Sequence, residues 1–212
     1  MANPTQSPSR KFYEQYWRDP AAAPPADDPL REPRLALLLP QLAPTDRVLD
    51  VGCGDGRATR VLAGRCRQAV GADISQQALR AAREQSPGGQ WLCASLEGEL
   101  PFADSSFDVL HCCEVIEHLL DVPGALRAMH RILRPGGLLF LSTPYHGLVK
   151  NLAIVLLDFE RHFDVSGPHI RFFTIRSLSR LLREAGFAVE KTRCLGRFWP
   201  VWMNLVVWAR KE

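Results

Sequence analysis

From Arg47 onward the chain alternates short apolar runs with longer stretches whose apolar residues recur every three or four positions. Arg47–Val51, Ala69–Ala72, Gln90–Ala94, Phe107–Cys112, Leu138–Ser142, Ala188–Arg193 and the region near Leu205–Ala209 read as strands. Between them, 57–66, 76–84, 123–133 and 175–185 carry helical periodicity. Arg134-Pro135-Gly136-Gly137 is expected to stop the third helix and turn the chain into the next strand. Strands alternating with helices of this length predict an α/β fold with a doubly wound, seven-stranded, mostly parallel sheet and right-handed crossovers.

Before Arg47 the pattern is weaker. Residues 1–8 are expected to be disordered, Lys11–Arg18 reads as a short amphipathic helix, and 19–29 is a Pro/Ala/Asp linker. A second helix is expected over 33–39, with proline tolerated in its first turn. This divides the chain into an arm and linker (1–30) and one domain (31–212) that carries an insertion at 145–170. A length of 212 residues suits a single domain with a full sheet between two helix layers.

The formal net charge of +3 is spread along the chain, which gives no argument for a nucleic-acid partner. The six cysteines form no CxxC pair, and several fall in apolar runs where cysteine acts as a small apolar residue. The first residues are polar without an apolar signal core, so a cytoplasmic protein with reduced thiols is expected.

The chemistry begins at the end of the first strand, with Asp50-Val51-Gly52-Cys53-Gly54-Asp55-Gly56. Alternate glycines allow a tight turn and close approach of a ligand, and the following helix points free N–H groups at the same place. GxGxG alone is shared with dinucleotide-binding proteins, and a tight turn without a ligand also accounts for it. Asp73 at the end of the second strand argues for a ligand, because a carboxylate there can accept from both hydroxyls of a ribose.

Residues 45–145 resemble the class I S-adenosylmethionine-dependent methyltransferases through VLDVGCGDG, GADIS, ELPFADSSFDV and ILRPGGLLFLSTP, in matching order. The resemblance implies a Rossmann-like sheet with an antiparallel last strand and S-adenosyl-L-methionine as cofactor. By the same resemblance Gly52, Cys53, Gly54 and Gly56 line its methionine and ribose portion, and Asp50 meets the amino group through its surroundings. Asp73 holds the ribose, Ile74 and Leu96 sandwich the adenine, and Cys113 offers backbone to the methionyl end. Ser95 stands where many relatives place an acidic residue toward the adenine amino group, which puts that contact in doubt. Arg31 is either a partner of the methionyl carboxylate or a solvated surface arginine.

After the fourth strand comes Glu114-Val115-Ile116-Glu117-His118. In a helical turn Glu114, Glu117 and His118 share one face, and two carboxylates with an imidazole suit Mg²⁺ or another divalent cation such as Mn²⁺. Packing or capping by His118 is the bland alternative. His169 is the candidate fourth ligand, an arrangement similar to the ubiquinone-biosynthesis O-methyltransferases and to small-RNA 2′-O-methyltransferases. The resemblance implies O-methylation of a vicinal diol or catechol, with His118, His169 or His162 as the candidate base.

The insertion contains the apolar run 148–157, which suits a helix packed on the domain or a lid over an apolar acceptor that touches membrane lipid through 147–158. Tyr145 and His146 stand where the acceptor is expected, and Phe198, Trp199 and Trp202 are core residues or a wall for an aromatic acceptor. Three readings follow. The favoured one is O-methylation of a small molecule: a quinol, catechol, polyketide or sugar. The others are methylation of an RNA 2′-hydroxyl and a catalytically silent cofactor-binding partner.

Overall fold

The computed structural model describes residues 7–18, 28–157, 159–162 and 169–212. The start of the arm, most of the linker and part of the insertion lie outside these residues. Helix α1 (Pro8–Tyr16) begins at Ser7, whose side chain accepts from the Arg10 N–H. Helix α2 (Arg31–Leu38) runs into a 3-10 turn, Leu39–Gln41. Alternation then follows: β1 (Arg47–Val51), α3 (Arg57–Ala63), β2 (Gln68–Asp73), α4 (Gln76–Gln85), β3 (Gln90–Cys93), β4 (Phe107–Cys113), α5 (Val122–Ile132) and β5 (Leu133–Pro144). The last third adds α6 (Leu148–Leu157), α7 (Phe159–His162), α8 (Ile175–Glu184), β6 (Phe187–Leu195) and β7 (Asn204–Lys211).

The sheet order is β3-β2-β1-β4-β5-β7-β6. β1 to β5 pair in parallel, and β7 runs antiparallel to both β5 and β6. This is the expected seven-stranded sheet. Strand parity distributes the core between its two faces. Leu49, Leu110, Leu139 and Leu141 pack with Leu126 and Met129 of α5 and Leu178 and Leu182 of α8. Their neighbours Val48, Val109, Leu138 and Phe140 pack on the other face with Leu35, Leu38 and Leu62.

Local chemistry explains most helix ends. Ser75 caps α4 by accepting from Gln77 N–H and Ala78 N–H, and Thr174 and Ser177 form a reciprocal capping box at α8. Two expected boundaries shift. The α3 helix stops at Ala63 because Gly64 follows, rather than running to Cys66. The expected turn at 134–137 is a bulge within β5: Leu133 pairs with Phe107, and pairing resumes at Leu138 with Val109. Gly136, at φ 71°, permits that excursion. The strand order reverses between β1 and β4, so a crevice opens at the carboxyl ends of these parallel strands.

Candidate functional site

The glycine loop leaves β1 at that crevice. The N–H groups of Gly52 and Cys53 both donate to Ala72 O, at 2.7 and 3.1 Å, which ties the loop to β2. Gly52, Gly54 and Gly56 have φ of 72°, 55° and 75°, a region costly for residues with a Cβ. Their surroundings differ. A Cβ on Gly52 would collide with Val115, and one on Gly56 with Trp91, whereas Gly54 faces the ring of Trp17. Gly56 was expected to line the ligand site. It instead packs against Trp91 and starts α3, and its tight approach serves the contact between helix and sheet.

Asp73 is buried at the end of β2. Its two oxygens accept from the Gly54 N–H at 2.9 Å and the Ser75 N–H at 2.8 Å. Burial raises its pKa to about 6, opposed by these two N–H groups and reinforced by Asp50 and Glu14. Asp73, Gly52, Cys53, Gly54, Ile74, Ser95, Leu96 and Cys113 all line one cavity of about 720 Å³.

Asp50 also borders this cavity, but its carboxylate is occupied. It accepts from Thr59 Oγ1 at 2.5 Å and meets His111 Nδ1 at 2.6 Å. Burial disfavours a charged His111, yet Cys113 and Asp50 outweigh it and raise the imidazole to about 10. The buried cation on α2 is Arg34, paired with Asp28 and lying 3.8 Å from Glu114, while Arg31 sits at the cavity rim. Sequence reasoning missed His111, Arg34 and the part of α1 that lines the cavity. A signal existed for Arg34, since it stands one turn before the buried Leu38 on the inward stripe of its helix.

At the far end of the cavity the backbone departs from the expected helical turn. Glu114 has φ 58°, and only Ile116–His118 forms a 3-10 turn. Glu114 instead accepts from Ser142 Oγ at 2.8 Å and Asn204 Nδ2 at 2.7 Å. Its expected membership of the ligand set is corrected by this geometry.

The group that does assemble is Glu117, His118 and His169, with ligand atoms all within 4.8 Å of one another. Glu117 Oε2 accepts from Thr143 Oγ1 at 3.1 Å, while the buried Oε1 has no hydrogen-bond partner among the described residues and lies 3.9 Å from His118 Nε2. Burial, then the charge of Glu114, pushes the Glu117 carboxyl well above its ordinary value. The Glu117 carbonyl accepts from the N–H groups of Ile170 and Arg171, both at 3.0 Å, which fixes the strap that carries His169.

His162 is exposed on α7, with its ring 5.7 Å from that of His146, and it does not line the cavity. Its expected role as base is corrected accordingly. His146 is buried with Nδ1 3.1 Å from Asn151 Oδ1, and burial lowers its pKa to about 4. Tyr145 bridges to Phe173 and meets Trp202 edge-on, while Phe198 and Trp199 are exposed. Helix α6 has no fully buried residue, but Lys150, Asn151, Ala153 and Ile154 are half-buried against the domain, and none of its residues lines the cavity.

The family model for the methyltransferase domain matches residues 25–192. The chain belongs to the methyltransferase domain family. It is an S-adenosylmethionine-dependent methyltransferase domain. A bifunctional biotin-biosynthesis protein of Cellvibrio japonicus is 34% identical over 162 residues, covering 74% of this chain and 31% of the relative. A ubiquinone-biosynthesis O-methyltransferase of Thiobacillus denitrificans is 32% identical over 152 residues, covering 68% of this chain and 66% of the relative. The methyltransferase domain thus spans less than two thirds of either relative. In fold it is similar to the Burkholderia thailandensis 1,6-didemethyltoxoflavin-N1-methyltransferase bound to S-adenosylhomocysteine, with a TM-score of 0.73 at 20% identity, covering 100% of this chain and 92% of that one. Among the described residues, no helix is long and apolar enough to cross a membrane.

Proposed function

We propose that this methyltransferase domain methylates a hydroxyl oxygen of a small molecule, of the catechol, quinol, polyketide or sugar class, with a divalent cation at Glu117, His118 and His169. The observation that carries this reading is the buried Glu117 Oε1, without a hydrogen-bond partner among the described residues, beside two imidazoles that line the same cavity as Asp73. A buried carboxylate oxygen without a partner is costly, and a cation coordinated there would satisfy it. One carboxylate and two imidazoles form a donor set for Mn²⁺ or Zn²⁺, and suit Mg²⁺, which prefers oxygen ligands, less well.

S-adenosylmethionine supplies an electrophilic methyl group on sulfonium. Asp73 would receive the ribose hydroxyls, Ile74 and Leu96 would flank the adenine, and the loop at Gly52–Gly54 would admit the backbone-close part of the donor. The buried Asp50–His111 pair would form the floor beneath it, and Arg34, paired with Asp28, would stand on the methionyl side. At the acceptor end, a divalent cation would supply Lewis acidity toward the hydroxyl. Partial burial, then the charge of His162, lowers the pKa of the exposed His169, which favours the neutral imidazole that can ligate or take the hydroxyl proton. The remaining contribution is alignment of oxygen, methyl and sulfur along one line.

The exposed apolar residues of α6, with Leu148 83% and Leu157 84% accessible, support contact with a membrane surface at which an apolar acceptor would reside. An intracellular setting fits the donor. The test is methyl transfer from radiolabelled S-adenosylmethionine to catechols, quinols and vicinal diols alongside matched amines, before and after EDTA and with Mg²⁺ or Mn²⁺ restored. Oxygen methylation that EDTA abolishes and cation restores is expected. Labelling confined to amines, or activity indifferent to EDTA, would overturn the respective part.

A further inference from the structure

Helix α1 buries none of its residues in the core, yet separate polar contacts tie it to the domain. Glu14 reaches the amino end of α4, where its carboxylate accepts from Gln76 N–H at 2.8 Å, Gln77 N–H at 3.3 Å and Ser75 Oγ at 3.4 Å. A helix amino terminus favours an anion in this position. Ser9 Oγ donates to Glu97 Oε2 at 2.8 Å, and the other oxygen of Glu97 accepts from Leu120 N–H at 2.6 Å.

Between these ties the inner face of α1 and its C-cap residue turn toward the cavity, which Ser9, Tyr13, Tyr16 and Trp17 line. The Trp17 ring comes within 3.0 Å of where a Cβ on Gly54 would stand, so it packs directly on this glycine, which borders the cavity together with Gly52. The Tyr13 ring meets His118 edge-on at 5.9 Å. Burial, then the charges of Glu117 and Asp73, raise the Tyr13 pKa, which keeps its hydroxyl protonated between the two ends of the cavity.

An aromatic face held over a cavity by a few polar ties differs from a helix held by a hydrophobic core. Such ties are weak enough to release for exchange of a ligand and to re-form over it. We propose that α1 is a wall of the donor site, in which Trp17 contacts S-adenosylmethionine over the glycine loop, Tyr13 extends the wall to the acceptor end, and Glu14 holds both in place. This inference rests on the reading of the cavity as the donor site.

The experiment uses S-adenosylhomocysteine as the probe, with binding followed by tryptophan emission in stopped flow and by calorimetry. Wild type, Trp17→Phe, Glu14→Ala and Asp73→Ala are compared in the full chain. Binding is expected to change wild-type emission, and Trp17→Phe is expected to lose most of that change. Loss of the hydrogen bonds at Glu14 is expected to raise the dissociation rate about 5- to 10-fold with an unchanged thermal midpoint. Wild-type dissociation rates in Glu14→Ala, together with a full emission change in Trp17→Phe, would overturn the role of α1 while weakening by Asp73→Ala upheld the donor site. Failure of wild type to bind the probe would overturn both.

Discussion

His118 and His169 stand with ring centroids 4.8 Å apart, brought together because the Glu117 carbonyl pins the N–H groups of Ile170 and Arg171. If these rings and Glu117 hold a cation, Mn²⁺ binding measured by calorimetry or paramagnetic resonance should be lost in Glu117→Gln, which retains an acceptor for Thr143. Because the Glu117 carboxyl is pushed above its ordinary value, a proton competes with the cation. The apparent Mn²⁺ affinity should therefore rise with pH, and binding that ignores both pH and the substitution would remove the cation site.

Asp73 makes donor affinity pH-dependent in the opposite sense to a histidine. With a pKa of about 6, the carboxylate is charged at pH 7.5 and protonates as pH falls through that value. Affinity for S-adenosylhomocysteine should then decline by up to about tenfold per pH unit below it. Asp73→Asn should bind about 10- to 100-fold more weakly at pH 7.5 and lose that pH dependence. Calorimetry from pH 5 to 8 on both proteins reads the two effects.

The Asp50–His111 pair predicts a stability profile. His111 is raised to about 10 in the folded protein, against about 6.5 for the unfolded chain. A group raised in this way contributes stability that is fully present below the unfolded value and is lost as pH rises through the folded one. The thermal midpoint of wild type should fall between pH 7 and 10. His111→Ala, which leaves the buried Asp50 carboxylate with Thr59 alone, should lose about 3–5 kcal/mol at pH 7 and flatten that slope. A parallel slope in the variant would assign the pH effect elsewhere.

The donor half of the site was legible because its parts are local. A strand, three glycines and a carboxylate at the next strand's end occupy fixed positions that any parallel βαβ unit brings together. The acceptor half was legible only in part. Glu117 and His118 are adjacent, but the expected inclusion of Glu114 assumed helical geometry, which its left-handed backbone breaks, and no residue-level pattern announces a non-glycine at φ 58°. Arg34, His111 and the α1 residues depend on packing between segments far apart in sequence, where hydrophobic periodicity carries no information about the partner. The same holds for 134–137, where the turn residues were read correctly and their absorption into β5 was decided by pairing with β4.

Helix α6 makes the membrane reading testable on its own. Leu148, Leu152 and Leu156 are all exposed and lie one helical turn apart, so they form a continuous apolar row. No residue of this helix is buried, and charges placed there leave the core intact. The double substitution Leu152→Asp and Leu156→Asp should therefore shift the thermal midpoint little. If the row enters the interfacial layer, burying each leucine contributes about 1.5–3 kcal/mol, and the pair of substitutions should reduce flotation with anionic liposomes by at least tenfold. Equal flotation of wild type and variant, or none by wild type, would leave the row without a lipid role.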